Sequence, residues 1–277
     1  MIPSPDLHTH STASDGTLTP TQLVTRAAVA GVRVLALTDH DTVAGIDEAQ
    51  LTATTVGVKL IAGVEISVTW LGRTIHIVGL GIDSNNSTLE HGLITQRQFR
   101  TWRAEEMAQR LAKVGYPDAL AGAQAYANGV VIGRTHFARF LVARGAAPDV
   151  RSIFKRFLVA GKPGYVPSEW TDLMTAVNWI KTAGGQAVIA HPARYQLTAS
   201  KRRQLFNEFS RAGGRAIEVI SGSHSRDDVF NYANYAAEHQ FLASAGSDYH
   251  GPEQPWIELG QLPALPACCT PIWHDWQ

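Results

Sequence analysis

The sequence predicts an α/β fold in which short parallel strands alternate with helices. Helical patterns end at glycine, apolar runs of about five to seven residues follow them, and this unit recurs along the chain. The clearest repeat is 183–189 and 212–218, where each segment combines a helix end, a Gly-Gly pair and a new strand. Strands separated by helices of this length favour parallel pairing, in either a barrel interior or a buried open sheet.

The N-terminal part of the chain follows this order from its start. Residues 6–10 alternate like the end of a strand. A capping box at 19–22, with Pro20 at the first helical position, begins a helix that Gly31 ends. The next predicted elements are a strand at 32–38, a helix from about Asp41 to Val56, and strands at 59–65 and 74–80.

The segment from about Glu90 to Pro167 interrupts the alternation of strands and helices. Helical patterns at 99–114, 135–143 and 150–159 contain no convincing strand between them. We therefore predict a helical insertion at 96–165, between two parts of one barrel at 1–95 and 166–277. The alternating pattern then resumes, with a helix capped at Ser225 and a strand at 241–246.

Composition limits the classes of function. The 24 basic residues balance 24 acidic residues, and no basic stripe suited to long nucleic acid is visible. No apolar run of about 18 residues predicts a membrane span, and the first six residues lack the features of a secretory signal. Adjacent Cys268 and Cys269 fit a reducing, cytoplasmic setting better than a structural disulfide, and they are poor metal candidates. No obligate protein partner is evident.

Eleven histidines are present, and several lie with acidic residues near the ends of predicted strands. In parallel α/β barrels, reactive sites form at the edge where the strands end. These residues are His8, His10 and Asp15; Asp39, His40 and Asp41; Glu65; His76; His191; and Asp248 and His250.

The spacing of these residues suits metal binding. Residues i and i+2 of a strand share a face about 6.6 Å apart, so His8 and His10 can bind one ion together. Glu65 has two carboxylate oxygens and can bridge two ions. Imidazole and carboxylate without thiolate suit Mn, Fe or Zn, and two such ions can clamp a phosphoryl oxygen.

Each residue also has an ordinary structural interpretation. A His-x-His pair on a strand is common, and His76 could be a hydrogen-bonded core histidine. Asp39 and Asp41 could cap helices, which we favour for Asp41, and His191 before proline could form a turn. Because burying so many ionisable groups without compensation is costly, shared metal ions explain the whole set better.

Taken as an ordered set, these segments resemble the polymerase and histidinol phosphatase (PHP) family of metal-dependent phosphoesterases. The resemblance implies a distorted, TIM-like (β/α)7 barrel with up to three metal ions, and a helical insertion that caps its C-terminal mouth. The matching segments are 6–11 with Asp15 and Gly16, 37–42, 63–65, His76, 190–192 and 247–250.

Carried over by position, the resemblance implies three sets of metal ligands that share Glu65 between the first two. Two or three divalent ions are implied, with Mn²⁺ expected first and Fe²⁺, Zn²⁺ or Mg²⁺ as alternatives. Some members have His where this chain has Asp15. The sets are His8, His10, Glu65 and Asp248; Glu65, His76 and His191; and Asp15, His40 and His250.

Within the insertion, residues 133–139 resemble the small bacterial members that act on nucleoside 3′,5′-bisphosphates and short RNA ends. Arg134 offers a planar fork of donors for a terminal phosphate, and His136 adds another. Lys162 and Arg194 are further candidates for the same pocket. Alternatively, Arg134 caps the preceding loop and His136 lies at the surface.

The resemblance implies hydrolysis of the 3′-phosphate of a nucleoside 3′,5′-bisphosphate such as 3′-phosphoadenosine 5′-phosphate, and of short RNA 5′ ends as a related activity. Asp248, Glu65 and His191 would be catalytic, because they hold the ions that activate the attacking hydroxide. The expected partner is thus a small phosphorylated nucleotide. The alternatives are another PHP activity, either histidinol-phosphatase-like or exonucleolytic, and a non-catalytic sensor of nucleotide and metal.

Overall fold

A computed structural model describes residues 5–127 and 131–276. The predicted domain limits at residues 1 and 277 and most of the N-terminal segment assessed for a signal lie outside these ranges. The strands are Val34–Leu37 (β1), Lys59–Trp70 (β2), Arg73–Leu80 (β3), Gln186–Ile189 (β4), Ala216–Ser221 (β5) and Leu242–Gly246 (β6). The helices are Pro20–Val29 (α1), Ile46–Val56 (α2), Ser87–Ala112 (α3), Ala119–Tyr126 (α4), Arg134–Ala143 (α5), Val150–Ile153 (α6), Leu173–Thr182 (α7), Ala199–Ala212 (α8) and Arg226–Glu238 (α9).

The six strands form one curled sheet in the order β1-β2-β3-β4-β5-β6, which confirms the α/β class. Strands β1 and β2 pair in parallel, as do β4, β5 and β6. The expectation that every strand is parallel is wrong for β3, which is antiparallel to both β2 and β4. A two-residue turn of Leu71 and Gly72, both at positive φ, makes β2 and β3 a hairpin and leaves no room for a crossover helix.

Several helix boundaries follow the sequence signals. Thr19 and Ser225 cap α1 and α9 with reciprocal capping boxes, and Gly57 and Gly213 end α2 and α8 in the left-handed conformation. The start of α2 was predicted too early, because the helix begins at Ile46 instead of near Asp41.

Residues 6–10 lie between the two outer strands of the sheet. Asp6 exchanges backbone hydrogen bonds with β1, whose Val34 carbonyl accepts from the Asp6 N–H at 3.0 Å. On the other side, the Leu7 N–H donates to the Ala245 carbonyl of β6 at 2.9 Å. This segment therefore connects both edges of the curled sheet and positions His8 and His10.

The C-terminal half of α3 and the helices α4 to α6 have their own hydrophobic core. Met107 and Leu111 of α3 pack in a cluster with Phe137 and Leu141 of α5. A π-helical turn at Phe154–Leu158 continues α6. The predicted boundary at 95/96 falls inside α3, because that helix begins at Ser87. Among the helices described, none is long and apolar enough to cross a membrane.

Candidate metal centre

His8 and His10 lie beside the segment that follows β6. The Asp248 N–H donates to the His8 carbonyl at 2.8 Å, and the His10 N–H donates to the Tyr249 carbonyl at 2.9 Å. Both imidazoles turn inward, and their Nε2 atoms lie 3.5 Å and 3.2 Å from Asp248 Oδ1. Asp248 takes a positive φ of 57°, a conformation that aspartate tolerates better than most residues.

Glu65 is the centre of the cluster and is buried. Its Oε2 lies 3.3 Å from Nε2 of both His8 and His10 and 2.9 Å from His40 Nδ1. Its Oε1 lies 2.8 Å from His76 Nδ1 and 3.0 Å from His191 Nε2. Two sets of imidazoles therefore approach the two oxygens of one carboxylate.

A third group surrounds Asp15. Its Oδ1 lies 3.3 Å from His250 Nε2 and 3.9 Å from His40 Nε2. The imidazole of His250 stacks on that of His10, with ring centroids 4.2 Å apart. This group is therefore continuous with the one around His8.

The chain brings the predicted ligands into three groups that could hold ions, with the ligand atoms of each group within 4.8 Å of one another. His191 is outside the group that contains His76, although its Nε2 reaches Glu65. The groups are His8, His10, Glu65 and Asp248; His10, Asp15, His40 and His250; and His40, Glu65 and His76.

Hydrogen bonding also fits bound cations. Five of the buried atoms that could bind an ion make no hydrogen bond of normal geometry among the described residues: His8 Nε2, His10 Nε2, His40 Nδ1, His76 Nδ1 and Asp15 Oδ1. Buried polar atoms without a partner are rare in folded proteins. Imidazole nitrogens and carboxylate oxygens aimed at shared points are the donor set expected for Mn, Fe or Zn.

The contacts between imidazoles and carboxylates determine the pKa values in the cluster. Burial disfavours the charged form of Glu65, but the imidazoles of His40, His76 and His8 hold its pKa well below the usual value. Burial likewise opposes protonation of His10, yet Asp248 and Glu65 raise its pKa to about 10. The pKa of His8 is raised as well, by Glu218, Glu65 and Asp248 against the effect of burial, so without a metal the added protons on His8 and His10 take part of the role of the cation.

The antiparallel strand β3 corrects the expected position of His76. This residue lies within β3, near its start, and not at a C-terminal strand end. Because β3 runs opposite to its neighbours, its beginning lies at the edge where the parallel strands end, and His76 faces Ser67 across the hairpin. Glu65 also lies within a strand, since β2 continues to Trp70.

Asp39 and Asp41 form hydrogen bonds and an ion pair that hold the segments next to the cluster in place. Asp39 accepts hydrogen bonds from the hydroxyls of Ser11 and Ser14, which organise the loop after His10. The helix-cap interpretation that we favoured for Asp41 is wrong, because its carboxylate accepts from the Ser67 N–H and pairs with Arg100 of α3. Asp41 thereby joins the sheet to the insertion.

A cavity of about 420 Å³, including its open part, adjoins the cluster. One wall carries Asp15, His40 and His76, and another carries three guanidinium groups, from Arg100, Arg103 and Arg134. Aromatic residues complete it: Arg100 and Arg103 lie over Trp170, at 4.8 Å and 5.5 Å from the ring centroid, and Arg134 lies 5.5 Å from the Phe154 centroid. The cavity is therefore cationic on one side and aromatic at its edge.

The predicted substrate residues occupy different places. Arg134 lines the cavity, whereas Lys162 is exposed and is not among its lining residues. The His136 ring is buried, and its Nδ1 accepts from the Gly133 N–H at 3.0 Å. Arg194 forms an ion pair with Asp248 Oδ2 at 2.6 Å and donates to the Ser223 hydroxyl at 3.0 Å, so it contacts a predicted ligand.

Three residues near the site were missed from sequence. Glu218 is a single acid inside the apolar strand β5, and its burial is the signal that could have revealed it. Arg100 and Arg103 recur at helical spacing with Gln96 on the buried face of α3, where apolar residues would be expected.

Comparison with known proteins places this geometry in context. A family model described as PHP domain matches residues 6–158. A 3′,5′-nucleoside bisphosphate phosphatase from Chromobacterium violaceum is 46% identical over 98% of this chain and 95% of its own length. A 5′-3′ exoribonuclease from Haemophilus influenzae is 47% identical over 97% of each chain. A solved structure from Chromobacterium violaceum, described as an amidohydrolase with bound sulfate and no metal, is 45% identical, with a TM-score of 0.95 over 98% of this chain and 95% of that one.

Proposed function

This chain belongs to the PHP family of metal-dependent phosphoesterases, and we propose that it removes the 3′-phosphate from nucleoside 3′,5′-bisphosphates. The products would be the nucleoside 5′-monophosphate and phosphate. One observation carries the proposal: a cluster suited to metal ions and a wall of three arginines border the same cavity. A substrate with two phosphates could place one at each.

The cleaved phosphate would lie at the cluster of imidazoles and carboxylates. When bound, divalent ions lower the pKa of water and neutralise the charge that develops on a phosphoryl group. Glu65, Asp248 and His191 are the proposed catalytic residues, because they would hold the ions that activate the attacking hydroxide. Arg194 keeps Asp248 Oδ2 occupied, which leaves Oδ1 directed toward His8 and His10.

The phosphate that is not cleaved would lie against the arginines. Arg100 is already paired with Asp41, so Arg134 and Arg103 have the greater freedom to bind an anion. Arg103 Nη2 is buried and makes no hydrogen bond among the described residues. Burial and the neighbouring guanidiniums of Arg134 and Arg100 lower the pKa of Arg103 to about 9, and a phosphate would relieve this repulsion. Trp170 and Phe154 offer surfaces for a nucleobase or ribose.

We further propose that the six strands and residues 6–10 together form a distorted (β/α)7 barrel, capped by the helices of 96–165. The hydrogen bonds of residues 6–10 to both β1 and β6 support closure. The cap is supported by the cavity, which insertion residues such as Arg134 line together with Asp15 and His76.

We expect two or three bound ions. Mn²⁺ is the first expectation, with Fe²⁺, Zn²⁺ and Mg²⁺ as alternatives, because the ligand atoms come from imidazoles and carboxylates.

We propose a cytoplasmic location for the protein. Cys268 and Cys269 are free thiols, which fits a reducing cytoplasm.

A direct assay tests the proposed activity. Purified protein with added Mn²⁺ should release phosphate from adenosine 3′,5′-bisphosphate much faster than from histidinol phosphate, and the nucleotide product should be the 5′-monophosphate. His8→Ala and Asp248→Ala should lose the activity, which excludes a contaminating phosphatase. Rapid release from histidinol phosphate with none from the bisphosphate would contradict the proposal.

A second candidate is 5′-3′ exoribonuclease activity on short RNA, which the name of the Haemophilus influenzae relative favours. The same cavity would then hold the 5′-terminal phosphate. Water would attack the phosphorus that joins the first two nucleotides, the first nucleotide would leave through its 3′-oxygen, and the shortened RNA would keep that phosphate at its new 5′ end. Digestion of 5′-phosphorylated oligoribonucleotides of increasing length distinguishes the two, since this candidate predicts stepwise release of 5′-mononucleotides. The small cavity and the zero net charge predict a preference for short RNA, and equal rates on short and long RNA would contradict that prediction.

A further inference from the structure

Glu218 is a buried acid in β5, behind the cluster. Its side chain is 1% exposed and is surrounded along the strand by apolar residues such as Ile217 and Val219. A carboxylate in such a position is costly unless its oxygens are hydrogen-bonded. Both oxygens of Glu218 do have partners, and each partner belongs to a different predicted metal ligand.

The first partner is the imidazole of His8. Nδ1 of His8 lies 2.5 Å from Glu218 Oε1, while Nε2 on the opposite side of the ring faces Glu65 and Asp248. An imidazole that binds an ion through Nε2 must be deprotonated there, and a carboxylate at Nδ1 keeps the remaining proton on that atom. Glu218 therefore fixes both the tautomer and the orientation that His8 needs.

The second partner is the backbone of His191. The His191 N–H donates to Glu218 Oε2 at 2.5 Å. His191 has φ 28° and ψ 57°, a left-handed conformation that is unfavourable for a residue with a side chain. This conformation turns its Nε2 to within 3.0 Å of Glu65 Oε1. The hydrogen bond to Glu218 compensates for the strain.

We propose that Glu218 is a positioning residue that organises two predicted ion sites at once, through His8 in one and His191 in the other. The inference rests on the proposed metal ligands and not on the identity of the nucleotide. The other buried acids behind the site act differently: Asp6 accepts from the Ser247 N–H, and Asp39 accepts from Ser11 and Ser14. In the described part of the chain, Glu218 is the acid whose carboxylate hydrogen-bonds to the outer nitrogen of a predicted ligand imidazole.

The substitution Glu218→Gln tests this role with little change in volume. Glutamine has one acceptor oxygen and one NH₂ group, so it cannot accept from both the His8 ring and the His191 N–H. We expect Mn²⁺ affinity to fall about 10- to 100-fold, which is typical when the outer partner of a metal ligand is removed. Free Mn²⁺, titrated by electron paramagnetic resonance without nucleotide, measures the affinity, and elemental analysis after dialysis counts the retained ions.

Glu258→Gln is the matched control, because Glu258 is a partly buried acid that pairs with Arg26 away from the cluster. It should bind Mn²⁺ as the wild type does. A folded Glu218→Gln protein with wild-type Mn²⁺ affinity and ion count would overturn the inference. Because no nucleotide is present, failure to hydrolyse the bisphosphate would leave this result unaffected.

A spectroscopic measurement on the wild type decides the question even if Glu218→Gln does not fold. In the zinc-loaded protein, ¹⁵N spectra of the histidine rings should show a proton on His8 Nδ1 and none on Nε2. A proton on Nε2, or metal bound through Nδ1, would overturn the role assigned to Glu218.

Discussion

At the scale of single residues, Glu65 is the point on which the proposed ion sites converge. Five imidazoles lie within 2.8–3.3 Å of its two oxygens. The sequence could predict this residue, because an acid after an apolar run is a strong signal in a chain with His-x-His at its start. Glu218 and Arg103 could not be predicted equally well, because each lies within a buried pattern whose partners are distant in sequence.

Glu65→Gln should abolish phosphate release, with a loss greater than about 100-fold, because even outer partners of metal ligands contribute about 10- to 100-fold. Removing the charge also leaves several imidazoles facing a neutral amide. Steady-state kinetics with Mn²⁺ measure the loss of rate, and elemental analysis counts the bound ions. A variant that keeps both its ions and its rate would contradict the bridging role.

Arg134→Ala and Arg103→Ala should each weaken use of a bisphosphate more than use of a nucleoside 3′-monophosphate. The expected loss is about 1.5–3 kcal/mol, or about 10- to 100-fold in kcat/KM, for a charge-assisted hydrogen bond. Comparing kcat/KM for the two substrates isolates the contacts to the phosphate that is not cleaved. Lys155→Ala, which removes an exposed cation of the insertion, should change neither value. Equal losses on both substrates would show that the arginines do not act by binding the phosphate that is not cleaved.

At the scale of elements, the β2–β3 hairpin determines how His76 reaches the cluster. The sequence signals for both strands were correct in place, but they did not reveal the reversal of direction, because a Leu-Gly turn is a weak hairpin signal. The start of α2 was misplaced for a related reason. Asp41 resembles a helix cap locally, while its actual partners, Ser67 and Arg100, lie in other elements.

The N-terminus of α5 should make stability depend on pH. Burial lowers the pKa of His136 to about 4, so the ring stays neutral in the folded protein, whereas in the unfolded chain it gains a proton near pH 6.5. Because the unfolded state then binds more protons, the free energy of unfolding should fall as pH drops from about 6.5 to 4, by up to about 3 kcal/mol.

The His136→Gln variant should reduce that slope, since glutamine does not titrate and can still accept from the Gly133 N–H. Denaturant unfolding of metal-free protein at several pH values measures the effect. His274→Gln, at an exposed position, serves as the control. If the slopes of wild type and His136→Gln are the same, His136 does not titrate as described.

At the scale of the whole molecule, the fold brings ligands from both ends of the chain together. Residues 6–10 pair with β1 and with the segment after β6, so His8 and Asp248, 240 positions apart in number, meet at Glu65. The order of the motifs could be predicted from the sequence. The cavity between sheet and insertion could not, because it depends on long-range contacts such as Asp41 with Arg100.

Metal binding by the whole cluster should release protons. Asp248 and Glu65 raise the pKa of His10 to about 10 against the opposing effect of burial. In the metal-free protein at pH 7.5, both ring nitrogens of His10 are therefore protonated. A metal ligand must be neutral imidazole, so binding expels one of these protons. Calorimetric titration with Mn²⁺ in two buffers of different ionisation enthalpy should give release of about one proton or more. No net release would indicate that His10 is not a ligand.

The central claim is that imidazoles and carboxylates from distant parts of the chain hold shared cations beside an arginine-lined cavity. An anomalous-difference map from a crystal grown with Mn²⁺ and soaked with adenosine 3′,5′-bisphosphate tests it most directly. We predict two or three peaks around Glu65, in contact with His8, His10, His76 and Asp248, with the 3′-phosphate at the ions and the 5′-phosphate near Arg134. Peaks elsewhere, or a nucleotide bound away from these residues, would contradict it.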